Sequence, residues 1–253
     1  MAPPSRFSFA LASALLTASA KTSGTAGSSG TPPYTVTLGE EPVCLSDIND
    51  ARAAAGLEHF ATPSDGDGKG MWPQITNTEA NDKSWYPVCE ALIKADGKEQ
   101  RSESDAVNSF KTGTYAYMAL PTADADCATA VEHWKAAFSN FTTTPPSKTQ
   151  GSELYSKQQN ISFVAMYNPT TSATADCRVV TCAKAATSRS QTESKTGHAL
   201  LCTTTPDAFT DGTTPPFTED QWSKITASLT GSSSVVAPSL LVFAAAAFGL
   251  AAL

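Results

Sequence analysis

Six cysteines and three histidines are the side chains of this 253-residue chain with the most chemistry to offer. As metal ligands they would need close Cys/His pairs such as C-x-x-C, and none occurs among Cys44, Cys89, Cys127, Cys177, Cys182 and Cys202. His59, His133 and His198 are scattered. A catalytic nucleophile needs a base within hydrogen-bond reach, and no residue here nominates one. Glu132 and His133 are neighbours in sequence, but consecutive helical residues do not face each other, so they make no acid/base pair. A solvated or capping role suffices for His133, and a loop role for His59. What remains for the cysteines is oxidation. An even number in an exported chain reads as up to three disulfides, with 15 connectivities open.

Other motifs add little chemistry. No G-x-S-x-G elbow, H-E-x-x-H, P-loop or G-x-G-x-x-G run is present. The stretch DGDGKG (Asp65 to Gly70) is similar to the start of a calcium loop. An EF-hand would then want Asp or Asn where Lys69 stands and Glu where Thr76 stands, so a flexible surface loop is the better reading. The expectation is no catalytic residue, no metal and no cofactor. Asn140-Phe141-Thr142 and Asn160-Ile161-Ser162 are sequons, which makes Asn140 and Asn160 glycosylation candidates. Arg178, Lys184, Arg189, Lys195 and His198 crowd into residues 178–198, with Asp176 and Glu193 nearby. On an acidic chain they form a candidate basic patch for sulfated or sialylated glycans. An ordinary solvated loop is the alternative.

The two ends determine where such sites would be displayed. MAPPSRFSFALASALLTASA carries one cation, Arg6, then an apolar run too short to span a bilayer, and closes on Ala18-Ser19-Ala20. This reads as a secretory signal over residues 1–20. Val235 to Leu253 gives about 19 residues, just enough to cross roughly 30 Å of hydrocarbon at 1.5 Å per residue. No charged residue occurs after Lys224, and small residues lie just upstream. The pattern is that of a GPI-attachment signal over 230–253, with Ser228, Gly231 and Ser232 as attachment candidates. A retained tail anchor is the alternative. About 210 residues remain between the signals, enough for one good-sized domain. Removing Arg6 with the signals leaves that part slightly more acidic than the net −7 of the whole chain. An acidic surface argues against nucleic acid as a partner, because phosphate binding needs a basic stripe.

Residues 21–42 read as a flexible Gly/Ser/Pro-rich leader ending in an extended stretch at Tyr34–Leu38, and the folded domain as 43–229. Four helices are expected. CLSDINDARAAAGL offers Ser46 as N-cap and Ile48, Ala51 and Ala55 on one face. YPVCEALIKADG places Pro87 at the first helical position. ADADCATAVEHWKAAFSNF spaces Cys127, Ala130, Val131, Trp134 and Phe138 helically. FTEDQWSKITASL has Thr218 and Gln221 as a capping box and Phe217 with Trp222 as a hydrophobic staple. GTYAYMAL, ISFVAMYN, CRVVTCAK and HALLCTTT read as strands. The mixture predicts an α+β domain with an antiparallel sheet between helices.

CRVVTC, a following strand bearing LLC, INDARAAAGL and AVEHWKAAFSNF together resemble the CAP superfamily of cysteine-rich secretory proteins, antigen 5 and pathogenesis-related proteins. That resemblance implies a disulfide-stapled α/β/α sandwich. It also implies that Cys177 bonds Cys202 and that Cys182 reaches an earlier helix through Cys44, Cys89 or Cys127. Positions five apart on a strand point to opposite faces, which suits one staple to a strand and one to a helix. The His-bearing stretch that supplies the CAP metal cleft is missing ahead of Cys177, where the chain reads VAMYNPTTSATADC, so the metal function is not carried over. VAMYNPTTSATADCRVVTC, LLCTTTPDAF, PFTEDQWSKI and the GSSSVVAPSLL tail are similar to the GPI-anchored surface antigens of Eimeria. The implied function is a non-enzymatic surface antigen that attaches to a host-cell receptor or glycan, is recognised by host antibodies, and sits on the outer leaflet of the plasma membrane. A CAP-like carrier of sterol or other lipid is the alternative.

Overall fold

Two long strands with apolar residues on both faces fix the centre of the fold. Residues 34–63, 69–77, 84–93, 110, 113–184 and 194–231 are described in a computed structural model. The strands are β1 (Thr35–Leu38), β2 (Thr114–Leu120), β3 (Thr174–Lys184) and β4 (Lys195–Thr205). They form one antiparallel sheet in the order β1-β3-β4-β2. The helices are α1 (Leu45–Ala54), α2 (Tyr86–Leu92), α3 (Cys127–Lys135), α4 (Gln158–Met166) and α5 (Glu219–Thr230).

Strand residues alternate between two hydrophobic cores, one on each face of the sheet. Ala175, Cys177, Leu200, Cys202 and Ala116 face a larger core built with residues of α1, α3, α4 and α5. Val180, Cys182, Ala199, Leu201, Tyr115 and Tyr117 face a smaller, aromatic-rich core with α2, Trp72, Trp85 and Phe110. Trp85 and Phe110 meet edge to face at 5.0 Å between ring centroids, as do Phe110 and Tyr115 at 4.9 Å. Gly197 makes room for α2: a Cβ there would lie 2.7 Å from Leu92 Cβ.

The structure differs from the sequence reading at three local points. ISFVAMYN is the heart of α4, not a strand. The segment is buried on nearly every side, from Ser162 to Asn168, so no polar face marks its period. A short continuous apolar run looks the same in either state. Its helical spacing shows instead in Gln158 and Ser162, four apart and both turned to β2. Second, α1 begins at Leu45 after Cys44, which adopts a left-handed φ of 64° and makes no side-chain cap. Ser46 therefore lies within the first turn. The disulfide at Cys44, not a hydroxyl, holds that end. Third, the extended stretch assigned to the leader is a strand of the sheet: Tyr34 and Val36 are buried in the smaller core. The folded unit thus includes residues before Val43. Residues 1–20, most of the leader, Asp65 to Gly68 and the tail from Ser232 lie outside the described residues.

α5 carries the capping box: Thr218 Oγ1 accepts from Gln221 N–H, and Gln221 Oε1 accepts from Thr218 N–H. Phe217 and Trp222 stack at 6.2 Å. Asp126, one residue before α3, accepts from the Thr129 amide at 3.0 Å and from its hydroxyl. Those bonds hold its carboxyl below the usual range.

Candidate functional site

The six cysteines tie the layers together. Cys44 is bonded to Cys127, joining the starts of α1 and α3. Cys89 in α2 is bonded to Cys182 in β3 on the smaller-core face. Cys177 is bonded to Cys202, its direct partner in the β3–β4 register, on the larger-core face. No cysteine is free.

The five residues of the basic cluster part company. Arg178 is fully buried, because even-numbered residues of β3 face the smaller core. Its Nε pairs with Asp176 at 2.8 Å, and its Nη1 donates to the carbonyls of Gly39 and Glu40. Trp72 Nε1 donates to the same carboxylate. This is a buried clamp that pins the chain after β1 and the Trp72 loop to the sheet, and it corrects the assignment of Arg178 to a surface patch. Lys184 stands directly opposite Lys195 at the far end of the hairpin, both half-buried. His198 Nδ1 meets Thr181 Oγ1 at 2.9 Å across the strands. Arg189 lies outside the described residues.

The sequons also separate. Asn160 is wholly buried in α4, and its Nδ2, the atom a glycan would need, donates to the Leu154 carbonyl at 2.7 Å. A glycan at Asn160 is incompatible with this packing, which corrects its placement as a surface position. Asn140 is half-buried and donates its Nδ2 to Asn160 Oδ1 at 2.8 Å. Of the attachment candidates, Ser228 lies inside α5 and donates to the Ile225 carbonyl at 2.7 Å. Gly231 ends the helix with a left-handed φ of 68°. Ser232 lies outside the described residues.

Arg52 is the residue that sequence reasoning missed. It is 2% exposed, with its guanidinium carbon 3.6 Å from the Phe60 ring centre. Nε donates to the Glu58 carbonyl at 2.8 Å; Nη1 donates to those of Met166 and Asn168 at 3.0 and 2.9 Å. These last two carbonyls are at the C-terminal end of α4, where helix acceptors lack partners. Burial lowers its pKa to about 10, partly offset by Glu58. The available signal was positional: Arg52 shares a helical face with Ile48, Ala51 and Ala55.

Cavities open on the described surface at several places, of which three bear on the site. One of about 290 Å³ is lined by Arg52, Thr170, Thr171, Thr218 and Lys224 among others. A second of about 290 Å³ lies between α1 and α3 over Ala51, Ala54 and Val131. The third, about 80 Å³, reaches Gln158 and Phe209. Among the described residues, no group of three or more His, Cys, Asp or Glu side chains could hold a metal ion. No helix among them is long and apolar enough to cross a membrane.

Residues 40–244 match the sporozoite surface antigen (SAG) protein domain, a span that includes all six cysteines. The chain is also 31% identical over 238 residues to the sporulated oocyst TA4 antigen of Eimeria tenella, covering 87% of this chain and 89% of that protein. No solved structure gives a significant match. The matched span holds all three staples and most of the chain, so the chain belongs to the sporozoite surface antigen family.

Proposed function

We propose that this protein is a non-enzymatic, GPI-anchored surface antigen of a coccidian parasite, displayed on the outer leaflet of the plasma membrane. It attaches there to a host-cell receptor or glycan and is met by host antibodies. The observation that carries this reading is the staple pattern inside a surface-antigen domain. Three bridges hold helix to helix, helix to sheet and strand to strand. Such a body keeps its shape in an oxidising exterior while its loops stay available for contact. Helices on both faces of an antiparallel sheet also support a CAP-like sandwich. Gly231, just past α5, favours attachment there or at Ser232, since cleavage at Ser228 would remove Leu229, which packs on the larger core.

Lys184 and Lys195, opposite each other at the end of the paired β3 and β4 strands, and Arg189, between them in sequence, are the cations of this proposed contact. The variant K184E/R189E/K195E is expected to lose binding to sulfated or sialylated glycans while keeping its melting temperature. Unchanged binding removes these cations from the reading. Phosphatidylinositol-specific phospholipase C should release the protein from intact cells; retention would favour a true span or a resistant anchor.

A further inference from the structure

Arg52 is a buried cation with an unused donor. Its three hydrogen bonds engage Nε and Nη1, and all go to neutral carbonyls. Nη2 has no hydrogen bond, and no carboxylate lies within ion-pair distance of the group, among the described residues. Glu58 offsets only part of the cost of burying the guanidinium. The lowered pKa of Arg52 reflects that cost. Yet the side chain is not sealed in the core, because it forms part of the wall of an open cavity of about 290 Å³.

The rest of that wall is rich in donors. Thr170, Thr171 and Thr218 bring hydroxyls, and Gln221 an amide. Thr218 Oγ1 accepts from the Gln221 backbone, which leaves its O–H to donate. Gln221 Oε1 is taken by the Thr218 backbone, which leaves the amide nitrogen to donate. The acids facing the cavity are at its rim. Asp220 is paired with Lys224 at 2.9 Å, with both side chains more than half exposed. Glu58 is also exposed. Water screens those charges and the exposed Lys224 ammonium, whereas the buried Arg52 guanidinium acts inside the cavity with only part of its field offset by Glu58.

We propose that this cavity binds an acidic monosaccharide, its carboxylate on Arg52 Nη2 and its hydroxyls on Thr170, Thr171, Thr218 and Gln221. A guanidinium suits a planar oxyanion better than a point cation would. The volume lies at the small end of ligand sites, which fits one sugar ring and not a lipid chain. The site is separate from the Lys184 and Lys195 end of the strands, since Thr170 and Thr171 precede the first residue of β3 whereas Lys184 ends it.

Arginine-labelled protein, titrated with glucuronate and followed by NMR at the Arg52 Nε–Hε signal, tests the proposal. A saturable shift is expected. The methyl ester of glucuronate and free acetate should each bind at least about tenfold more weakly, because one lacks the charge and the other the hydroxyls. T171W, at an exposed rim position, should block the site without changing the melting temperature. K184E/K195E should leave the titration unchanged. No shift, an equal response to ester or acetate, full binding by T171W, or loss in K184E/K195E would each overturn the assignment.

Discussion

Removing single disulfides should reveal what each one constrains. Cys89–Cys182 closes a sequence separation of 93, against 25 for Cys177–Cys202. Neither of the other bridges offers a shorter path between Cys89 and Cys182: the detour through Cys44–Cys127 adds chain. In the loop-entropy account the longer bridge contributes about 4.6 kcal/mol and the shorter about 3.5 kcal/mol at 25 °C. All four cysteines are at most 2% exposed, so the packing lost on substitution with alanine is comparable. The difference of about 1.1 kcal/mol therefore isolates loop length. At about 2.4 °C per kcal/mol for a domain of this size, C89A/C182A should melt about 11 °C lower and C177A/C202A about 8 °C lower. Urea denaturation of the two variants gives the free energies directly, and the m-value should rise more for C89A/C182A, whose unfolded chain opens further. If C177A/C202A proves equally or more damaging, loop entropy does not govern these staples and native packing does.

Two further outcomes follow from buried polar groups. Ser162 Oγ accepts from the buried Tyr117 amide at 3.0 Å, so S162A should cost about 1–3 kcal/mol and speed exchange of that amide; a loss below about 0.5 kcal/mol would mean another acceptor takes over. Burial raises the pKa of Tyr155 and Tyr167 well above the usual value near 10. Their folded-state pKa lies above the unfolded one, so this stabilisation is complete below pH about 10 and is lost as pH rises beyond it. Phenolate absorbance of these two should appear only together with unfolding, and ionisation in the folded protein would contradict their burial.

Legibility in the sequence followed how local each determinant is. The start of α5 was readable because Thr218 and Gln221 bond each other three residues apart, and Phe217 stacks on Trp222 within the same stretch. α4 was not, because its polar residues answer to β2, which lies more than forty positions away in sequence, as in the Gln158 bond to the Tyr115 carbonyl. Arg178 shows how charge alone misleads. It alternates with Val180 and Cys182, so the period of two put it on a core face, while its charge suggested solvent. The partner that allows its burial, Asp176, was two residues away and visible. Arg52 was hidden differently: its acceptors, Met166 and Asn168, are brought to it only by the packing of α1 against the end of α4.

Side chains occupy part of each outer margin of the sheet. On β2, Ser162 takes the Tyr117 amide, while Trp134 Nε1 and Gln158 Nε2 donate to the carbonyls of Tyr117 and Tyr115. On β1, Asn77 Oδ1 takes the Val36 amide at 2.9 Å. An open margin invites a strand from another molecule. Antigens crowded on a surface collide far more often than the same molecules in dilute solution. At those positions the border backbone is already engaged and offers a colliding neighbour no bond to zip onto. Crowding on a surface should therefore not, at those positions, draw neighbouring copies into a shared sheet.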